Sequence, residues 1–288
     1  MGGEPGISRS GVSQDVYSLF RLDGRIALVT GGAGLLGSMH AEAIAEAGGI
    51  PVLLDIRGDL AIEKAKQIAD RYQVPTLGLK VDITNKAWLQ DVIQTVIQRF
   101  GRLDVLVNNA ANDPKVKAVD DQSWTRFETF SPRQWAEDLN VGLTGAFLCC
   151  QAVAPQMVKQ GQGIIINVSS DLGLIAPDQR LYKKEGLPED RQPVKPVSYS
   201  VVKHALIGLT RYLATYWADR NIRVNALVPG GIQTEQPGEF VRKVSSLIPM
   251  GRMARRDEYK GAIVFLASDA SSYMTGTTLV VDGGRTCW

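Results

Sequence analysis

Tyr199 and Lys203 lie four residues apart in the run Ser198-Tyr199-Ser200-Val201-Val202-Lys203. On a helix that interval puts both side chains on one face, so an ammonium sits beside a phenol. The cation favours the phenolate and lowers the tyrosine pKa, which makes the ring oxygen a usable general acid or base near neutral pH. A second cluster, Thr30-Gly31-Gly32-Ala33-Gly34-Leu35-Leu36-Gly37, joins an apolar β-branched run to an amphipathic one. Glycine there lets the backbone turn tightly and approach a pyrophosphate, whose charge meets helix N-terminal amides. Asp55 ends the next apolar run, 24 residues past Gly31. A carboxylate at that place accepts hydrogen bonds from the adenosine ribose hydroxyls and repels a 2′-phosphate. The glycine loop holds no Arg or Lys to offset that repulsion, so the residues point to NAD in preference to NADP. Arg57, two residues on, reads as a solvated arginine following a strand.

Such groups must be held at the ends of regular elements. Apolar β-branched runs at 25–30, 50–55, 76–81, 103–107, 163–168, 222–228 and 277–281 alternate with amphipathic stretches at 35–47, 59–72, 86–100, 132–159, 197–219 and 257–267. The alternation predicts an α/β fold with one doubly wound parallel sheet of about seven strands, the Rossmann arrangement, and helices on both faces. The near-continuous apolar character of the strands means that both sheet faces are covered. Ser131 before Pro132 reads as a helix start. There is no internal repeat and no dividing linker, so the sequence reads as an N-terminal extension, 1–21, and a single domain, 22–288. Segments 112–130 and 178–196 break the rhythm; they read as charged surface loops, or as a substrate lid because they follow carboxyl ends of strands.

The 288 residues are 44% hydrophobic and 22% charged, ordinary globular usage that argues against disorder. A net charge of +2, with no run of five basic residues, argues against nucleic acid as a partner. The longest purely apolar runs are far below the ~18 residues needed to span a bilayer. The first residues carry neither an apolar signal core nor, at Gly6, the hydroxyl of a myristoylation motif, and the expected location is the cytoplasm. Cys149, Cys150 and Cys287 lack metal-ligand spacing, so no metal site is expected, and the adjacent pair reads as small core residues. His204 reads as a packing or surface histidine, and Arg252, Arg255 and Arg256 as a solvated patch.

Taken with Val81-Asp82-Ile83, Val107-Asn108-Asn109-Ala110, Asn140, Ser169-Ser170, Arg223-Val224-Asn225, Pro229-Gly230 and Val281-Asp282-Gly283-Gly284, the two clusters give a chain that resembles the short-chain dehydrogenase/reductase family from about Leu22 to Gly284. The resemblance implies that Tyr199 donates or accepts the proton and that Ser170 bonds the substrate oxygen. Lys203 would tune the tyrosine and bind the nicotinamide ribose, and Asn140 would hold a water linked to Lys203. It further implies cofactor contacts from Gly31, Gly34, Leu36, Gly37, Asp55, Asp82, Ile83, Asn109, Pro229, Ile232 and Thr234, with Asn108 on the adenosine side and Ile232 offering its backbone to the carboxamide. A homotetramer through the helices around Asn140 and Tyr199 is also implied.

Three departures stand out. The glycine spacing is TGxxGxxG with Leu35 in place of a glycine, a spacing similar to the epimerase-like branch. Ala111 replaces the last glycine of the fourth-strand motif. Ser170 and Tyr199 are 29 residues apart, longer than the family's usual interval, and the excess is segment 178–196. That insert carries Arg180, Tyr182, Lys183, Lys184, Arg191 and Lys195, which suit a polar or anionic ligand such as a sugar acid or phosphorylated sugar. The loop and Thr234-Glu235-Gln236 look like sugar-acid reductases and gluconate-type dehydrogenases, and the insert like oxidoreductases of bacterial surface-sugar biosynthesis. The expected activity is hydride transfer between nicotinamide and a carbonyl or secondary alcohol of a sugar or sugar derivative. The alternatives are a 3-oxoacyl-carrier-protein reductase, an NAD-dependent epimerase or dehydratase, and a nucleotide-binding protein without turnover.

Overall fold

The computed structural model describes residues 15–112 and 123–288, so part of the N-terminal extension and of segment 112–130 lies outside the described residues. Strands β1 Ile26–Thr30, β2 Ile50–Asp55, β3 Leu77–Lys80, β4 Val105–Asn108, β5 Gly163–Val168, β6 Ile222–Pro229 and β7 Thr278–Val281 form one sheet. Their order is β3-β2-β1-β4-β5-β6-β7 and every neighbouring pair is parallel. Residues of β1, β4 and β5 are buried throughout, which is why these strands read as unbroken apolar runs.

Successive residues of each strand feed opposite cores. Val29, Leu53, Val107 and Ile166 join Ile44 and Ile263 on one side; Leu28, Leu54, Leu106 and Ile165 join Val96, Cys150 and Val153 on the other. The covering helices are α2 Leu35–Glu46, α3 Gly58–Tyr72, α4 Lys86–Phe100, α5 Pro132–Leu139, α6 Gly145–Gln160, α7 Val197–Tyr216, α8 Gly238–Ser245 and α9 Lys260–Ala267, after a single turn, α1 Val16–Leu19. Local chemistry sets their ends. Ser131 Oγ accepts from the Arg133 amide with Pro132 in the first turn, and Asn85 Oδ1 accepts from the Trp88 amide. Gly101 and Gly161 close α4 and α6 at positive φ.

The structure departs from the predicted elements in three places. The expected helix over 132–159 is interrupted by a π-helical turn, Asn140–Thr144, between α5 and α6. The last helix begins at Lys260 instead of 257, and α8 falls where no element was expected. The rod 132–160 is long enough to cross a bilayer, with a best window of mean hydropathy 1.4; its Cys149, Cys150, Val153 and Met157 face the sheet.

Candidate active site

The strand order reverses direction between β1 and β4, and the crevice beyond their carboxyl ends is where open α/β sheets bind ligands. Thr30 clamps that point: its Oγ1 accepts from the amides of Asn109 and Ala110, each at 3.0 Å. Asn109 Nδ2 donates to the Thr30 carbonyl at 2.9 Å and to that of Gly31 at 3.3 Å, so Asn109 faces the glycine loop. Asn108, expected on the adenosine side, is instead turned into the core, where Nδ2 donates to Asn167 Oδ1 at 2.9 Å and Cys150 Sγ at 3.3 Å.

The loop is a cradle whose path depends on glycine, most clearly at Gly31 and Gly37. Gly31 has φ +62°, and a Cβ on Gly37 would stand 2.1 Å from the Gly31 carbonyl oxygen. Gly34 precedes α2 in an extended conformation and Leu35 is the first helical residue, so a side chain is accommodated where the family spacing has glycine. Leu36 and Gly37 complete the first turn of α2. Asp55 is buried at the end of β2; Oδ2 accepts from the Ala33 amide at 3.0 Å, and Oδ1 from the Arg57 amide at 3.0 Å. Arg57 is not simply solvated, because its Nε reaches Asp55 Oδ1 at 3.2 Å. Asp82 Oδ1 accepts from the Thr84 amide and hydroxyl, and Ile83 packs where Gly145 leaves no room for a Cβ.

Across the crevice, Ser170 follows β5, Tyr199 and Lys203 lie on α7, and Asn140 opens the π-turn. Lys203 Nζ donates to the Val168 carbonyl at 2.8 Å and lies 5.7 Å from the Tyr199 ring centroid. Ser169 Oγ donates to the Lys203 carbonyl at 2.7 Å, which ties the end of β5 to the lysine turn of α7. Ser170 Oγ donates to Asp171 Oδ1 at 2.7 Å, and burial pushes that carboxyl up from its ordinary range. Gly142 lets the π-turn close on α7, since a Cβ there would meet Val202 Cγ1 at 2.6 Å.

Two further residues lie close to these groups: Asp138, which the sequence did not single out, and Lys195, read in the sequence only as part of the charged insert. Asp138, buried on α5, accepts from Ser198 Oγ at 2.5 Å, Gln134 Nε2 at 2.9 Å and Asn112 Nδ2 at 3.1 Å. It thereby joins the residue before Tyr199, the helix leading to Asn140 and the segment after β4. Lys195 is the second: its Nζ stands 3.8 Å from the Tyr199 ring centroid. Beyond β6, Gly230 N donates to Val281 O, and the Gly231 carbonyl and Gln233 amide pair with Ala254 on either side of Ile232. Gln236 brackets this loop, accepting from Thr234 N at 2.6 Å and donating to Ile232 O at 2.8 Å, just after Pro229.

The remaining sequence readings fall away from this crevice. Cys149 and Cys150 are buried, and burial raises both thiols, Cys150 to about 12. His204 is exposed with Nδ1 2.9 Å from the Ser200 carbonyl. Arg252 is engaged by Glu258 at 2.6 Å.

A profile described as short chain dehydrogenase matches residues 25–182, and one described as Enoyl-(Acyl carrier protein) reductase matches 190–286. D-threitol dehydrogenase of Mycolicibacterium smegmatis is 34% identical over 275 residues, covering 93% of this chain and 95% of its own. A 3-oxoacyl-[acyl-carrier-protein] reductase of Thermotoga maritima is also 34% identical, over 271 residues, 92% of this chain and 98% of its own. Among solved structures, a gluconate 5-dehydrogenase from Burkholderia cenocepacia, in complex with NADP and tartrate, superposes with a TM-score of 0.82 at 31% identity, covering 94% of this chain and 99% of that one. With one parallel seven-stranded sheet and matches that run nearly end to end, the chain belongs to the short-chain dehydrogenase/reductase family and is an oxidoreductase.

Proposed function

We propose that the chain is an NAD(H)-dependent dehydrogenase or reductase acting on a secondary alcohol or carbonyl of a sugar or sugar derivative. What supports this reading is that Tyr199 and Lys203 share α7, that Lys203 is tied to the end of β5 next to Ser170, that the π-turn opened by Asn140 packs on α7, and that the glycine cradle ends a strand of the same sheet. Gly31, Gly34, Leu36, Gly37 and Asn109 would hold the pyrophosphate side, Asp55 the adenosine ribose, Asp82 and Ile83 the adenine, and Pro229, Ile232 and Thr234 the nicotinamide. A bound nicotinamide supplies the hydride donor or acceptor.

The residues then manage binding and the proton. Tyr199 exchanges it with the substrate oxygen, and the neighbouring ammonium of Lys203 favours the phenolate when the proton leaves. Lys203 is held for that task by the Val168 carbonyl. Ser170 orients the substrate oxygen. The buried Asp55 carboxylate supports NAD, because a 2′-phosphate beside it would meet like charge in a poorly solvated place. Arg57, paired with Asp55, and the NADP complex of the gluconate 5-dehydrogenase neighbour favour NADP.

The polyol and sugar-acid relatives favour carbohydrate; the acyl reductase relative supports a second reading, reduction of an acyl ketone. The test is fluorescence titration with NADH and NADPH, followed by turnover at 340 nm on polyols, sugar acids, keto-sugars and acyl ketones. Tighter NADH binding with turnover of a carbohydrate is expected. NADPH preference with acyl-ketone reduction would establish the second reading.

A further inference from the structure

Asp138 is only 4% exposed, and its carboxylate accepts three side-chain hydrogen bonds, each from a different part of the chain. Gln134 sits one turn earlier on α5, Asn112 follows β4, and Ser198 lies in the first turn of α7. All three donors are neutral, and no cation pairs with the carboxylate among the described residues. Burying a charge on neutral donors alone is costly, and an apolar side chain of similar size would fill the space without that cost. What the carboxylate supplies beyond bulk is direction: its bonds fix how α5, α7 and the chain after β4 meet.

The first turn of α7 has little else to hold it. Pro196 precedes it without a side-chain cap, and the Tyr199 amide meets the Pro196 carbonyl at 3.3 Å, a long bond. Ser198 is fully buried, and its hydroxyl donates to Asp138. One turn after Tyr199, Lys203 Nζ is fixed by the Val168 carbonyl at 2.8 Å, and the Lys203 carbonyl accepts from Ser169 Oγ at 2.7 Å. Tyr199 is therefore mounted at two points: Asp138 holds the residue before it, and the end of β5 holds the lysine after it. Asp138 also lies two residues before Asn140, so the same carboxylate anchors the base of the π-turn.

We infer that Asp138 is a positioning residue for the proton transfer: through Ser198 it holds the phenol of Tyr199 in register with Lys203, and through α5 it holds the start of the π-turn in the same frame. The inference rests on the reading of Tyr199 as proton donor or acceptor and adds what keeps that oxygen in place. Misplacing a reacting group by about 1 Å can cost roughly 10²-fold in rate. A hydrogen bond one residue away from Tyr199 is thus felt in kcat before it is felt in cofactor binding.

The test compares the wild type with Asp138→Ala, Asp138→Asn, Ser198→Ala and the double change Asp138→Ala with Ser198→Ala, on the compound of the panel above that is turned over fastest. Asp138→Ala and Ser198→Ala should each lower kcat about tenfold while KM for the cofactor stays within about twofold. Each should also move the Tyr199 limb of the pH profile up by about one unit, as the phenol loses its place beside Lys203. Ser198→Ala leaves the Asp138 charge where it is, so its shift reports position and not field. The double variant should fall no further than the worse single one, because both break one link. Asp138→Asn should keep kcat within about threefold: its amide oxygen still accepts from Ser198, and the amides of Gln134 and Asn112 can turn over to offer oxygen. Losses that multiply in the double variant, or a kcat within about twofold of wild type in Ser198→Ala, overturn the inference. If nothing in the panel is turned over, tyrosinate absorbance taken as a difference from Tyr199→Phe reads the phenol directly, and its titration should rise by about one unit in both Asp138→Ala and Ser198→Ala. A lowered Tyr199 titration that both variants leave unchanged overturns the inference alone; a wild-type Tyr199 that titrates as an ordinary phenol overturns the reading beneath it as well. Circular dichroism checks each fold, and Ser198→Ala, which removes a single oxygen, carries the test if Asp138→Ala does not fold.

Discussion

Tyr199 lies between two ammonium groups, Lys195 at 3.8 Å and Lys203 at 5.7 Å from its ring centroid. Removing the phenol oxygen while keeping the ring isolates its part in the reaction. Tyr199→Phe should retain NADH binding and lose roughly 10²-fold or more in kcat, the range for a general acid-base group; turnover within a few-fold of wild type would refute the assignment. At the other end of the crevice, Asp55→Ala should weaken NADH and relax the preference against NADPH. Fluorescence titration with both cofactors reads this directly, and an unaltered ratio of dissociation constants would mean that the carboxylate does not face the ribose. How far single residues were legible depended on how local their work is. Tyr199 and Lys203 announce themselves by spacing on one helix. Asp138 does not, because an acid in Gln134-Trp135-Ala136-Glu137-Asp138 is linked to Tyr199 through Ser198, 60 residues away. Asn108 and Asn109 show the other limit: consecutive strand residues point to opposite faces, and types alone do not say which of two asparagines faces the loop.

At the scale of elements, strands were readable because burial on both faces demands β-branched runs. The π-turn Asn140–Thr144 was not: one extra residue in a turn leaves the helical composition unchanged, although Gly142 and Gly145 let it close on Val202 and Ile83. Helix α8 was missed because it is only eight residues long and buries none of them fully, so its short stripe of Phe240, Val241 and Val244 does not stand out. Helix α2 carries a feature with a measurable consequence. His40 is fully buried, its ring nitrogens make no hydrogen bond among the described residues, and burial pushes its imidazole down to about 4. The unfolded chain, with an ordinary value of 6.5, accepts a proton that the folded helix refuses. The stabilisation from neutral His40 is therefore fully present above 6.5 and fades as pH falls toward 4, by on the order of 3 kcal/mol. Urea unfolding at pH 7 and pH 4.5 should show His40→Leu losing about 2 kcal/mol less than wild type over that interval. Equal losses would mean that His40 is protonated in the folded protein.

For the whole molecule, the surface of α6 and α7 bears on assembly. Tyr212 and Tyr216 are 63% and 62% exposed and stacked at 5.9 Å, with Phe147 and Val201 also exposed on these helices. Large aromatic groups gathered on neighbouring helices mark a contact surface. The expected outcome of light scattering is a mass four times the 31.3 kDa chain, lowered by the double change Tyr212→Asp and Tyr216→Asp. A wild-type protein that runs as a monomer would overturn the expectation.

The strand order also bears on how the chain is made. As synthesis proceeds, β2 and β3 extend one side of β1, after which β4 docks on the free edge of β1 and β5, β6 and β7 each dock on the margin left by the strand before. No strand has to wedge between two that are already paired, so the sheet can grow in the order in which it leaves the ribosome. The cost of that route is an open, apolar margin at every intermediate length, a template for pairing with other nascent chains. The protein is thus most exposed to aggregation while it is being translated, and least once the last residues of β7 emerge.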